Sequence, residues 1–117
     1  MGDKIRATRV EDVEKVWIHE DWEYSHRLTT KKREGCESFS FHITTYLPNF
    51  ERIVRGDGVH EVVLYCLEGE SRQILEDGTE IHFTPGTATY LPREYEYRHI
   101  VGPKGLKIAV ACSPPRE

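Results

Sequence analysis

From residue 38 onward, the chain alternates between short strand-like runs and turn signals, and this pattern limits the fold more than any other feature. The runs are rich in β-branched and aromatic residues, and a new one begins about every ten residues. This spacing is typical of all-β sandwiches and barrels. The runs that we predict as strands cover residues 38–46, 51–54, 60–67, 72–75, 80–83, 88–91, 97–101 and 107–112.

Turn-forming residues separate these runs. Asp77-Gly78 stands between two of them, and this dipeptide readily adopts the positive φ angles of a tight hairpin turn. Residues 8–20 permit at most one short helix, because Val10, Val13 and Val16 recur every third residue but β-branched side chains favour helices only weakly. We therefore predict one all-β domain, in which an N-terminal extension at 1–37 packs on a barrel at 38–117.

Charge and composition exclude several classes of partner. The 117 residues include 16 Lys and Arg against 20 Asp and Glu, a net charge of -4 that disfavours binding to nucleic acid. No run approaches the ~20 apolar residues of a membrane helix, and the N-terminus lacks the apolar core of a signal peptide. The three cysteines are widely spaced, which favours reduced thiols. We expect a cytoplasmic protein that binds a small molecule and has neither a nucleic-acid nor a membrane partner.

Strand side chains alternate between two faces, so each run predicts which residues point into the barrel. In the run at 60–67, Val62 and Leu64 define the inward face, and His60 has the same parity. The same alternation places six further residues inside, from the first run and the last two: Ser40, His42, Thr44, Tyr97, His99 and Cys112.

Three inward histidines, His42, His60 and His99, permit three interpretations. In a metal-free acid–base pocket, His60 or His99 moves protons and Tyr97 or Tyr90 donates a hydrogen bond to a developing oxyanion. Alternatively, the three imidazoles hold one divalent metal, Fe²⁺ or Zn²⁺, with an open fourth position. In the third interpretation, the histidines are hydrogen-bonded inside a barrel that only binds a ligand or binds nothing. The other three histidines are expected at the surface: His19, His26 and His82.

Three signals occur in an order that resembles the cupin superfamily: Leu67-Glu68-Gly69-Glu70 at a strand exit, the Asp77-Gly78 hairpin, and Pro85-Gly86 followed by Pro92. Other segments are similar to the ectoine synthase family of cupin lyases, which close a ring in an acylated diamino acid with loss of water. These segments are Trp22-x-x-Ser25-x-Arg27-Leu28, Ser40-Phe41-His42-Ile43-Thr44 and the stretch 60–69.

The resemblance implies a cupin double-stranded β-helix, a homodimer, and a pocket lined by residues that match Trp22, Thr44 and His60. The positions of the family's Glu, Tyr and His metal ligands are occupied by Val62, Thr89 and Tyr97. Since neither Val nor Thr can replace an anionic or imidazole ligand, we predict that the chain has no metal cofactor.

Together these observations predict a lyase or cyclase that carries out an elimination or ring closure by acid–base chemistry. The predicted catalytic residues are His60, Tyr97 and His99. The predicted substrate-binding residues are Trp22, Ser40, His42, Thr44, Val62, Leu64, Thr89 and Cys112. One alternative is a non-catalytic cupin that binds a small ligand, and the other is a metal-dependent cupin enzyme with Fe²⁺ or Zn²⁺ at His42, His60 and His99.

Overall fold

A computed structural model describes residues 4–116, and these residues form an antiparallel β-structure. A 3-10 helix at Val10–Asp12 and the short helix α1 (Lys31–Glu34) are the helical segments of this part of the chain. The strands are β1 (Val16–His19), β2 (Glu23–Thr29), β3 (Ser40–Tyr46), β4 (Glu51–Arg55), β5 (Glu61–Leu75), β6 (Glu80–Phe83), β7 (Ala88–Leu91) and β8 (Glu96–Ser113). The all-β prediction is confirmed.

The two long strands, β5 and β8, belong to two layers. Residues 106–113 of β8 pair with β3 and with residues 61–69 of β5, and this layer continues outward to β2, β1 and β7. Residues 96–101 of β8 pair with β4 and with residues 71–75 of β5, which also pairs with β6. Each long strand therefore crosses from one layer to the other near its centre.

The core lies between these layers. Val62, Leu64 and Ile108 come from the first layer, and Phe83 and Val101 come from the second; all five are buried in one hydrophobic cluster. Their positions alternate along each strand with outward residues, as expected for sheets that bury one face.

The passage of β5 and β8 from one layer to the other explains why the sequence predicts two short strands where the structure has one long strand. Gly69 has a φ of +80° and lies between two register shifts in the pairing of β5 with β8. The sequence predicts the end of a strand at this bend, but the strand continues through it.

At Asp77-Gly78 the predicted hairpin between β5 and β6 is confirmed, since Leu75 N–H donates to the backbone carbonyl of Thr79 and Gly78 has a φ of +89°.

The N-terminal segment differs from the prediction. Residues 16–29 were assigned to an extension that packs on the barrel, but they form β1 and β2 of the sheet itself. The short helix predicted within 8–20 is a single 3-10 turn. Helix α1 was not predicted; the Thr30 side chain caps it by accepting from Arg33 N–H. Within residues 4–116, no helix is long and apolar enough to span a membrane.

Candidate functional site

A cavity of about 240 Å³ opens between the first layer and the strands β4 and β8. Its apolar side is formed by core side chains that include Val62, Leu64, Leu91 and Val110. Strands β2 and β3, further along the same layer, supply the polar side chains of the cavity. The cavity therefore combines an apolar side with a polar side, as small-molecule sites commonly do.

A buried carboxyl group lies at one end of the cavity. The Glu23 side chain is 5% exposed, and its Oε1 atom has no hydrogen-bond partner. Burial raises the pKa of Glu23 above its usual range, although the charge of Arg52 and a hydrogen bond with Tyr46 partly offset this effect. A carboxyl group whose pKa is raised by burial holds a proton more tightly than a free one, and such groups are common acid–base catalysts.

Arg52 lies beside this carboxyl group without pairing closely with it. Its Nε atom is 4.0 Å from Glu23 Oε1, too far for a hydrogen bond, and has no other hydrogen-bond partner. Ser25 also lines the cavity, and its fully buried hydroxyl has no partner. Three buried polar atoms around one cavity thus have no hydrogen-bond partner, and because such atoms are costly when unsatisfied, they favour a polar ligand.

The opposite end of the cavity is cationic. Arg27, on β2, is paired in register with His42 on β3, and Arg116 lies nearby because its backbone N–H donates to Ser40 Oγ at 3.1 Å. Burial, followed by the charges of Arg116 and Arg27, lowers the pKa of His42 to about 4. His42 is therefore neutral at pH 7, and the positive charge of this end belongs to the two guanidinium groups.

The structure places six predicted site residues at this cavity. They come from β3, β5 and β8: Ser40, His42, Thr44, Val62, Leu64 and Tyr97. Tyr97 is buried, and burial raises the pKa of its hydroxyl above the usual range. The hydroxyl consequently stays protonated and can donate a hydrogen bond.

His60, a predicted catalytic residue, does not line the cavity. It precedes β5, and its Nδ1 atom is 2.5 Å from Asp57 Oδ2 in the turn before that strand. Asp57 Oδ1 also accepts from the backbone N–H groups of Val59 and His60. The prediction that His60 points inward is wrong, because the strand alternation begins only at Glu61 and the aspartate holds the imidazole in the turn.

His99 is buried as predicted, but it lies behind the cavity. Its Nε2 atom is 2.9 Å from Ser71 Oγ, and its ring packs edge-on against Tyr46, with the ring centroids 5.0 Å apart. Burial, and to a lesser extent Arg52, lowers the pKa of His99 to about 4. Its ring contacts Tyr46 and Tyr97 and does not face the cavity itself.

Three predicted substrate-binding residues also lie outside the cavity lining. The Thr89 hydroxyl donates to Gln73 Oε1 at 3.0 Å, and Cys112 is buried in the core. Trp22 is 43% exposed and stacks on Phe50, with the centroids 5.7 Å apart. Each of these side chains is engaged by neighbours that the strand pattern alone does not reveal.

The sequence analysis did not identify the polar residues of β2 or the arginines at the two ends of the site. Glu23, Ser25 and Arg27 line the cavity from alternate positions, while Arg52 and Arg116 come from other segments. A signal was present, since polar residues alternate with Tyr24, His26 and Leu28 over this stretch. That alternation is typical of a strand with a polar inner face, whereas the prediction assigned residues 1–37 to an extension and placed no strand there.

No protein-family model matches the sequence, and no curated protein matches it. Solved structures do match the fold. Ectoine synthase from P. lautus has a TM-score of 0.80 at 22% identity, covering 95% of this chain and 79% of that one. The polyketide cyclase RemF from Streptomyces resistomycificus has a TM-score of 0.82 at 20% identity, covering 94% and 80%. An RmlC-like cupin from Shewanella frigidimarina has a TM-score of 0.78 at 19% identity, covering 100% and 97%.

The chain has the cupin fold. Cupins commonly hold a divalent metal inside the barrel, so the fit of this cavity to a metal can be tested by its donor atoms. His42 and Glu23 lie at opposite ends of the polar side, and Arg27, Arg52 and Arg116 place three positive charges around the same space. Those charges repel a divalent cation. The residues of this cavity therefore do not fit a divalent metal.

The three-histidine metal site is not formed either. His60 is held by Asp57 in a turn, His99 faces Ser71 behind the cavity, and His42 alone lines it. Within residues 4–116, no group of three or more His, Cys, Asp or Glu side chains is placed to hold a metal ion. The prediction that these histidines meet is wrong because it depended on the inward placement of His60.

Proposed function

We propose that this cupin is an acid–base enzyme that carries out an elimination or ring closure on a small anionic molecule. The observation that carries the proposal is the Glu23 carboxyl group, which is buried, lines the cavity and leaves Oε1 without a partner. A protein that only fills its core would not bury a carboxyl group in this way, since burial of an unpaired charge is unfavourable.

Glu23 is the proposed proton acceptor and donor. Burial raises its pKa, which makes the carboxylate a stronger base than a free glutamate and favours general acid–base catalysis. Tyr97, whose hydroxyl stays protonated, is the proposed hydrogen-bond donor to negative charge that develops on a substrate oxygen. Neither step requires a metal.

The cationic end provides the proposed anchor. Arg27 and Arg116 can bind a carboxylate, and neutral His42 can share a hydrogen bond with it. Arg27 lies four positions after Glu23 along β2, which corresponds to roughly 13 Å between their backbones. A molecule held by its anionic group at Arg27 therefore presents its other end toward Glu23.

The names of two similar structures support the reaction class. Ectoine synthase and the polyketide cyclase RemF share the fold at 22% and 20% identity. The resemblance of the sequence to ectoine synthases suggests a ring closure with loss of water. In such a step, Glu23 removes a proton from the attacking group and returns one to the departing oxygen.

The test offers mono-N-acetylated diamino acids of several chain lengths to the purified chain and follows ring closure by proton NMR. We expect turnover by the wild-type chain and a loss of about 10²-fold or more for Glu23→Gln, the usual effect of removing one acid–base group. The variant should fold, because Gln keeps the shape of Glu and removes a buried charge.

Glu68→Gln is the matched control, since the Glu68 side chain is 72% exposed and far from the cavity. We expect it to retain wild-type turnover. If the wild-type chain binds the acids in calorimetry but converts none of them, the enzyme proposal fails and a ligand-binding cupin is the better description.

A further inference from the structure

His19 lies on the solvent side of the Glu23 carboxyl group. It is the last residue of β1, its side chain is 38% exposed, and its Nε2 atom is 3.6 Å from Glu23 Oε1. The Glu23 side chain is only 5% exposed and faces the cavity. His19 therefore stands between the buried carboxyl group and bulk water.

The neighbours of His19 fix its protonation state. Arg52 Nη1 contacts Nε2, and because a guanidinium can only donate, Nε2 carries a lone pair and the ring proton lies on Nδ1. The charged groups that face the ring are Glu23 from β2 and Arg52 from β4, and Phe50 packs against it with centroids 5.6 Å apart. Burial and Arg52 lower the pKa of His19, which favours the neutral form.

This arrangement meets a requirement of any buried acid–base group. A carboxyl group that accepts a proton from a substrate must be ionised when each cycle begins, and a substrate that fills the cavity prevents it from exchanging protons directly with water. We propose that His19 relays protons between Glu23 and solvent. The inference depends on the proposed function, because it assigns His19 a role in the turnover of Glu23.

The relay conserves protons and involves no electron transfer. The O–H bond of protonated Glu23 breaks as an Nε2–H bond forms on His19, while Arg52 turns aside and stays protonated. The Nδ1–H bond then breaks and its proton passes to water, and exchange with solvent restores the starting tautomer. The positive charge of Arg52 disfavours a long-lived imidazolium and so promotes this release.

The first experiment measures rescue. In weak buffer, His19→Ala is expected to lower turnover of the acetylated diamino acids by about tenfold or more, and added imidazole should restore most of it. A purely structural role would not respond to imidazole. His82→Ala, at a histidine that is 74% exposed, is the control and should be unaffected. Wild-type turnover by His19→Ala in weak buffer overturns the relay, and so does a loss that imidazole does not restore.

The second experiment needs no turnover. The chain is labelled with ¹³C at the Glu carboxyl carbon, and the Glu23 signal is assigned by its absence from Glu23→Gln. In the wild-type chain, this signal should show a second step where His19 titrates, and His19→Gln should remove that step. A Glu23 titration unchanged by His19→Gln overturns the inference, whereas absence of wild-type turnover overturns the proposed function alone.

Discussion

The buried histidine His99 makes the stability of the folded chain depend on pH. The pKa of His99 is lowered to about 4, mainly by burial, whereas an unfolded histidine titrates near 6.5. Between pH 6.5 and 4, the unfolded chain therefore binds one more proton at this histidine than the folded chain does. The contribution of His99 to the free energy of unfolding is fully present above pH 6.5 and decreases as the pH falls through this window.

We expect this one group to reduce the free energy of unfolding by about 2 kcal/mol between pH 7 and pH 5. His99→Gln should show a smaller decrease, because Gln can still donate to Ser71 but does not titrate. Urea unfolding at both pH values provides the measurement. Equal pH dependence of the wild-type and variant chains would show that His99 is not the responsible group.

His60 shows how a turn can override strand alternation. Asp57 accepts from two backbone N–H groups and from the imidazole, and these hydrogen bonds hold the pKa of Asp57 well below its usual range. His60 thus stabilises a turn outside the cavity. The role of Tyr97, which does line the cavity, stays a prediction.

We expect His60→Ala to leave turnover within about twofold of wild type, since one acid–base group would contribute about 10²-fold. The melting temperature should fall slightly because the turn loses a hydrogen bond. Steady-state kinetics and a thermal melt on the same preparation test both statements. A hundredfold loss of turnover in a folded variant would show that His60 is a catalytic residue after all.

At the scale of elements, the strands that clear turn signals separate were predictable, including β3 with its polar inner residues, whereas β2 within the N-terminal segment was not. The strand at 80–83 and the strand at 88–91 have the predicted bounds, because β-branched and aromatic residues with clear turn signals mark them. In β2, by contrast, Glu23 and Arg27 point into the cavity, so the usual pattern is inverted. Arg52 and Arg116 approach the site only through tertiary packing, which no local pattern encodes.

The crossing of β5 and β8 depends on a close backbone approach at Gly69. A Cβ atom there would lie 2.1 Å from the carbonyl oxygen of Gly105, and the φ of Gly69 is +80°. Gly78, in the hairpin, has a similar φ of +89°, but no heavy atom lies within 4 Å of its hypothetical Cβ. Both glycines therefore have a backbone conformation that would strain any other residue. Only at Gly69 would an added side chain also collide with neighbouring backbone atoms.

We expect Gly78→Ala to destabilise the chain by about 1 kcal/mol through its left-handed backbone conformation. Gly69→Ala should cost about 2 kcal/mol more, because the methyl group must also displace backbone atoms. Chemical denaturation of both variants measures the difference. Equal losses would mean that the crossing adjusts freely around residue 69.

At the scale of the whole molecule, the first layer is apolar on its outer side as well as in the core. Its inner side combines the apolar core with the charged and hydroxyl groups of the cavity, and its outer side carries apolar groups on five adjacent strands. Val63, Tyr65 and Tyr90 are 41%, 43% and 58% exposed. We define this surface as the outer face, which comprises Tyr24, Phe41, Ile43, Val63, Tyr65, Tyr90, Ala109 and Ala111. A contiguous apolar face of this kind is typical of an interface between proteins.

We expect two copies of the chain to associate through the outer face, since a second copy offers an apolar surface of the same kind and a two-fold contact closes the assembly at two copies. Light scattering at micromolar concentration should give twice the 13.6 kDa of one chain. Tyr65→Glu places a charge at the centre of the face and should give a monomer.

Ile53→Glu is the matched control, because Ile53 is also 43% exposed but lies on β4 in the other layer. The Ile53→Glu variant should remain a dimer. A wild-type mass of 13.6 kDa would exclude the dimer, and dissociation by Ile53→Glu rather than Tyr65→Glu would move the interface to the second layer.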